Sequence, residues 1–225
     1  MEKFINDISQ LNLGRRIGGG SCSEIFEMTP GVYFKKFCED YADLSDPINL
    51  EFFKVIKTIS DIDCLPNIVR ANDIYRSESQ LFGYSMDRVD ALELEKISDS
   101  VLIGELMNGF EELKPSIRTL SSNFVKTEDI GGDNILFNGK IYLLDLDLSL
   151  VDKRYIPDEL YEATRRSVFE SLFQRISGSV ITEKVVDDDY VSYMNNLIDV
   201  CSNFVDKEVS TIGDFKKAYC KVYRN

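Results

Sequence analysis

The stretch Asp129-Ile130-Gly131-Gly132-Asp133-Asn134-Ile135-Leu136-Phe137-Asn138-Gly139-Lys140-Ile141-Tyr142-Leu143-Leu144-Asp145 constrains this chain more than any other. Asn138-Gly139 separates two apolar runs, Ile135 to Phe137 and Ile141 to Leu144. Asn-Gly tolerates positive φ at both central turn positions, so the pattern predicts a two-residue type I′ hairpin. With the turn at 138 and 139, Leu136 faces Ile141, Ile135 faces Tyr142 and Asn134 faces Leu143. Side chains alternate faces along a strand, which puts Asp145 on Leu143's face. Asn134 and Asp145 become diagonal neighbours about 7–8 Å apart, with room for one divalent cation between their oxygens. Asp129 precedes the hairpin on its entering loop. The same pattern also suits a structural hairpin flanked by surface acids, and the upstream half of the chain decides between the two.

At 225 residues the chain is long enough to bury a full core. Its apolar fraction of 44% is that of a globular protein. The formal net charge of -13 argues against non-specific nucleic-acid binding and against an anionic membrane surface as partners. The five cysteines have no Cys-x-x-Cys spacing, so reduced thiols and a cytoplasmic location are expected rather than a disulfide or zinc framework. Histidine is absent, which excludes a Ser-His-Asp triad, a Cys-His dyad and histidine-ligated metal. No signal peptide and no membrane-spanning apolar run is recognisable.

Residues 1–12 read as a lead-in helix or strand. Gly18-Gly19-Gly20 then lies between two short apolar strands, where glycine lets backbone approach a ligand and offers N–H groups to phosphates. Thr29-Pro30-Gly31 predicts a type II turn, followed by a strand Val32 to Phe37 carrying Lys35 and Lys36. Asp46-Pro47 is a helix start, with an apolar stripe Ile48, Phe52, Val55, Ile56 and Ile59. Two strands come next, at Ile74-Tyr75 and Leu81 to Met86, around a Ser77-Glu78-Ser79 turn. A helix over 99–123 is expected to break or kink at Pro115. Another begins near Pro157, buries Val168, Phe169, Leu172, Phe173 and Ile176, and stops at Gly178. A third pattern runs through Tyr190, Met194, Leu197, Ile198, Cys201 and Phe204. The last places Phe215, Ala218, Tyr219 and Val222 on one face after a Thr211/Asp214 capping box.

Taken together, glycine loop, lysine strand, helix with Glu51, and Asp, Asn and Asp around a hairpin resemble the protein-kinase-like superfamily over about residues 13–177. The resemblance implies an α+β, two-lobed fold in one domain. Its N-lobe (13–87) is an antiparallel sheet with one helix, and its C-lobe (88–225) is mainly helical. It implies ATP and Mg²⁺. Gly18, Gly19, Gly20, Ser21 and Ile25 would cover the nucleotide, and Met86, Asp87 and Val89 would line the adenine side. Lys35, oriented by Glu51, would contact the phosphates. Asn134, Asp145 and, as a second choice, Asp147 would hold the metal, and Asp129 would orient or deprotonate the acceptor hydroxyl. The sequence departs from the family at Ser23, where a third glycine is usual, and at Thr127-Glu128, where a His usually braces the loop. It also has no Ala-Pro-Glu motif and only a short segment after Asp147. The implied activity is a kinase acting on Ser/Thr hydroxyls of a protein. A small-molecule phosphotransferase, with Asp187-Asp188-Asp189 lining an acidic pocket, and a nucleotide- or partner-binding pseudokinase are the alternatives.

Overall fold

The computed structural model describes residues 1–178 and 210–223, with side chains given only to 217 in the last segment. The expected helix through Tyr190 to Phe204 and the acidic run 187–189 lie outside the described residues. The described chain is α+β, with a mixed six-stranded sheet and five helices.

The sheet comprises β1 (Glu2–Phe4), β2 (Arg16–Gly19), β3 (Ser23–Thr29), β4 (Val32–Phe37), β5 (Asp73–Arg76) and β6 (Leu81–Asp87), in spatial order β1-β5-β6-β4-β3-β2. All neighbours are antiparallel except β1 and β5, which are parallel. The expected all-antiparallel sheet starting at residue 13 is therefore corrected: the sheet begins with β1. Glu2 secures that edge by accepting from Lys57 at 2.7 Å and Arg76 at 2.8 Å. The β3–β4 turn gives Gly31 a φ of +83°, as a type II turn requires of its third residue.

Between β4 and β5 come a single turn, α1 (Glu39–Ala42), and α2 (Pro47–Asp61). Asp46 caps α2, its Oδ1 accepting from Ile48 N at 2.7 Å, with Pro47 in the first turn. The helix serves two cores. Phe53 and Ile56 pack with Phe37, Ile74, Leu81 and Tyr84 on the sheet. Val55, Ile59 and Ile62, just past its end, join a larger cluster built on the later helices. Ile48, expected in this stripe, is 64% exposed.

Past the sheet come β7 (Leu92–Glu93), α3 (Ile103–Ser122), β8 (Val125–Lys126), β9 (Ile135–Phe137), β10 (Ile141–Leu143), β11 (Leu150–Val151), α4 (Pro157–Ser177) and α5 (Ile212–Tyr223). Helix α3 runs through Pro115 rather than ending there. Helix α4 buries all five predicted residues and ends at Gly178, whose φ is +66°. The capping box of α5 forms as expected: Asp214 N donates to Thr211 Oγ1 at 3.1 Å, and Thr211 N donates to Asp214 Oδ2 at 3.3 Å. Fully buried Leu and Phe side chains across α3, α4 and the β9–β10 hairpin each contribute about 1.5–3 kcal/mol. They form the firm base under the segments that flank the hairpin.

The hairpin itself differs by one residue from the predicted register. Phe137 pairs with Ile141, Leu136 with Tyr142 and Ile135 with Leu143, so the loop is Asn138-Gly139-Lys140. Asn138 closes it: its N donates to Lys140 O at 3.2 Å, and its Nδ2 reaches Asp90 O at 3.1 Å. The physical reason is burial. This register pairs the buried Ile135 and Phe137 with the buried Leu143 and Ile141, and leaves the half-buried Leu136 and Tyr142 together. The two-residue turn would have set each buried residue against a half-buried or exposed one.

Candidate active site

Lys35 projects from β4, across the ladder from Ile25 on β3 and Tyr84 on β6. Cross-strand partners share a face, so these three side chains stand together on one side of the sheet. Lys35 is 5% exposed. Its Nζ pairs with Asp145 Oδ1 and lies 2.7 Å from Asp147 Oδ2, more than 100 residues away in sequence. The rings of Phe37 and Tyr84 flank the ammonium, with centroids at 5.7 and 6.0 Å. Tyr84 completes the group by donating its hydroxyl to Asp147 Oδ1 at 3.0 Å.

The carboxylates reach this point because the chain bends sharply just past the hairpin. Leu144 N still donates to Asn134 O, at 3.1 Å. The ladder then ends, and Asp145 turns into the left-handed region at φ +60°, ψ +44°. A short 3₁₀ turn, Leu146–Leu148, carries Asp147. The pairing of β11 with β8 brings this segment back beside residues 127–129. Asp129 is also left-handed, at φ +54°. Four non-glycine residues among those described have positive φ, and two of them are these aspartates. Such conformations cost about 1–2 kcal/mol and persist where the surroundings impose them.

The surroundings of Asp129 are visible. Asn134 Nδ2 donates to Asp129 O at 2.9 Å, and Gly131 N donates to the same oxygen at 3.1 Å. Ser171 of α4 donates to Ile130 O at 3.1 Å. Thr127 and the buried Thr164 share a hydrogen bond of 2.6 Å. Hydroxyl groups from α4 thus brace a loop that has no histidine.

A cleft of about 180 Å³ joins these parts, lined by Gly20, Ser21, Lys35, Asp129, Asp145 and Asp147 together with the aromatic Phe37, Tyr41 and Phe52. One ammonium faces three carboxylates, a formal excess of two negative charges. Burial acts most strongly on Lys35 and works to lower its pKa, but Asp147 and Asp145 together outweigh it and hold the ammonium above its ordinary value. Burial raises Asp147, opposed by Lys35 and reinforced by the Asp145 carboxylate. Burial, with Asp147 and Asp145 behind it, keeps the Tyr84 phenol well above the ordinary range.

The glycine loop turns as expected, Gly20 N donating to Ser23 O at 2.9 Å. Gly19 is the conformationally demanding member, with φ +146° and Ser23 O only 2.7 Å from where a Cβ would lie. Gly18 and Gly20 have nothing within 4 Å of that position. Ser23 is buried at the head of β3.

Other expected site residues are elsewhere. Glu51 is not part of the site: it lies on the exposed first turns of α2 and pairs with Lys54. Its neighbour Phe52 is the α2 residue in the cleft. Asp87 and Val89 line a separate cavity of about 290 Å³ with Leu65 and Tyr142. Asp87 accepts from Asn72, the Arg88 N–H is engaged by Gly31 O, and Met86 packs into the sheet core. Asn134 holds Asp129 and is not among the residues lining the cleft. Sequence reasoning missed Tyr84, Phe37, Tyr41 and Phe52. For Tyr84 a signal existed, since two strands flanking a lysine strand put one aromatic opposite Lys35, but only a known register identifies which.

Among the described residues no helix is long and apolar enough to cross a membrane. No protein-family model and no curated protein matches this chain.

Proposed function

We propose that this chain is a Mg²⁺-dependent phosphotransferase of the two-lobed, protein-kinase-like kind, moving the γ-phosphate of ATP to a hydroxyl group. One observation carries the reading: Lys35, Asp145, Asp147 and Asp129 converge with the glycine loop in one cleft from four separate segments. The chemistry of the donor set suits the metal. Mg²⁺ is commonly held by one or two protein groups plus phosphate oxygens rather than by a full protein cage. Asp145, whose side chain is 41% exposed, would hold the ion from the cleft, whereas Asn134, which the resemblance makes the second ligand, here holds the Asp129 carbonyl from outside the cleft lining. The excess negative charge of the cleft favours a cation. When bound, Mg²⁺ screens the phosphate charge.

The chain's own residues then divide the work. Lys35 meets the phosphates with its ammonium. The backbone at Ser21 closes over them, the Gly20 N–H being taken by Ser23 O, and the open space at Gly20 leaves room for approach. Asp129, fixed through its carbonyl by Asn134, orients the acceptor hydroxyl and takes its proton. Positioning and electrostatics supply most of the rate. A Ser/Thr hydroxyl of a protein is the first-choice acceptor. A small-molecule hydroxyl is the second reading, favoured by the brevity of the segment between Asp147 and α4, which β11 pairs off against β8.

The test is label transfer from ATP labelled at the α or the γ phosphate, with generic protein acceptors and an aminoglycoside panel, for wild type, Lys35→Met and Asp129→Asn. Transfer of γ-label that both substitutions abolish is the expected result. Full turnover by Asp129→Asn would remove the assigned base.

A further inference from the structure

We infer that Tyr84 and Asp147 form the pair that positions Lys35, doing from the sheet and the 3₁₀ turn what the resemblance assigns to Glu51 on a helix. The inference rests on the phosphotransferase reading and adds residues to it.

The two carboxylates on Lys35 are not equivalent. Asp147 is nearly enclosed, with 11% of its side chain exposed, and each oxygen has its own protein donor: Lys35 at 2.7 Å on Oδ2, Tyr84 at 3.0 Å on Oδ1. A carboxylate so engaged is oriented on both sides and has little left for a cation. Asp145 is 41% exposed and spends one oxygen on Lys35. Asp147, expected as a second metal ligand, is therefore reassigned as the lysine's anchor, and Asp145 keeps the metal role.

Tyr84 is built to hold that anchor. It is 4% exposed and directly opposite Lys35 in the β4–β6 ladder. The ladder brings the phenol and the ammonium to the same carboxylate from adjacent strands. Glu51, by contrast, has 59% of its side chain exposed and is taken up by Lys54. Lys35 thus owes its geometry to two strands and a turn, all resting on the cores. Helix α2 supplies only Phe52 to the cleft wall.

The experiment compares wild type with Tyr84→Phe, Asp147→Asn and Glu51→Gln, each checked for a wild-type urea midpoint and circular dichroism. Two quantities are read: KM for ATP against kcat, and the rate at which a soluble acylating reagent modifies Lys35, followed by peptide mass spectrometry without nucleotide. Tyr84→Phe removes one oxygen and keeps the ring. It is expected to raise KM for ATP about tenfold with kcat within about twofold, and to speed Lys35 acylation. Asp147→Asn is expected to do both more strongly, and Glu51→Gln to match wild type. Wild-type behaviour of Tyr84→Phe in both readouts would overturn the inference and leave the phosphotransferase reading standing. The same losses in Glu51→Gln would do likewise. Failure of the wild type to bind Mg-ATP would overturn both together.

Discussion

Gly83 sits so close to Lys35 across the sheet that a Cβ on it would fall 2.0 Å from the Lys35 carbonyl oxygen. Its φ of +150° is closed to ordinary side chains as well. The absent side chain lets β6 approach β4 closely enough for Tyr84 and Lys35 to share a carboxylate. Gly83→Ala combines backbone strain with a backbone clash, so a loss of about 3 kcal/mol or more is expected in urea unfolding. Gly31→Ala is the comparison. Its φ is also positive, +83°, but nothing lies within 4 Å, so only strain of about 1–2 kcal/mol is expected.

The glycine loop gives the opposite kind of prediction. Gly20 lines the cleft, and a methyl group there meets nothing in the protein. Gly20→Ala is expected to leave stability within about 0.5 kcal/mol of wild type. The methyl would occupy the approach to the loop's N–H groups, so the rise in melting temperature on adding Mg-ATP should shrink. A full-sized rise would show that nothing binds at that loop.

Much of this architecture was legible because the signals were local. Asp46-Pro47 started a helix through its own side chain, and Thr211 with Asp214 closed a cap within four residues. The convergence of Lys35 and Asp145 was legible only through the resemblance, since no local rule relates a lysine on one strand to an aspartate beyond a distant hairpin. What stayed hidden depended on register and on tertiary competition. Asn-Gly named the turn, yet the matching of Ile135 with Leu143 and of Phe137 with Ile141 set the loop one residue longer. Glu51 occupied a suitable helix but lost to its neighbour: with Phe52 facing the cleft, Glu51 turns toward solvent and Lys54. β1 carried too few residues to show a period, and it exists because the free edge of β5 offers it a partner.

The loop around Asp129 should respond to a change on α4. Thr164 is buried and shares its hydrogen bond with Thr127, two residues before Asp129. Thr164→Val keeps the shape and leaves the Thr127 hydroxyl without its partner, at a cost of about 1–3 kcal/mol. Because the side of the cleft that the proposal gives to the nucleotide is untouched, the expected kinetic effect is a lower kcat with KM for ATP unchanged. A raised KM with normal kcat would mean that α4 braces the nucleotide site instead.

On the proposed reading, metal dependence should separate Asp145 from its neighbours. A ligand at one hundred times its Kd stabilises the folded state by about 2.7 kcal/mol. Mg-ATP at that level is expected to do so for wild type, and chelation of Mg²⁺ with EDTA should remove most of the effect. In Asp145→Asn, ATP with and without Mg²⁺ should differ little. If instead Asp147→Asn abolished the magnesium dependence and Asp145→Asn kept it, the roles of the two carboxylates would be exchanged.

The docking of α5 should depend on acid through one residue. Asp99 receives Arg175 of α4 at 2.8 Å and Lys216 of α5 at 2.9 Å. The backbone adds Gly213 N to Asp99 O at 2.9 Å and Ile212 N to Val101 O at 3.0 Å. Phe215 meets Phe173 edge to face at 6.4 Å. Hydrogen bonds from Lys216 and then Arg175 hold the Asp99 carboxyl below its ordinary pKa. A carboxyl lowered in the folded state contributes stability above its unfolded pKa and loses it as pH falls through the folded value. The contribution should therefore be constant from neutral pH down to about pH 4 and fade below it. Asp99 is half exposed, so solvent screening limits it to about 1 kcal/mol or less. Asp99→Asn is expected to lie below wild type by that amount at neutral pH, the two curves converging in acid. Hydrogen exchange should report the difference first in α5, because the buried aromatic pair and the cap remain when the ion pairs are gone. Curves that stay parallel through pH 3 would show that packing alone docks the helix.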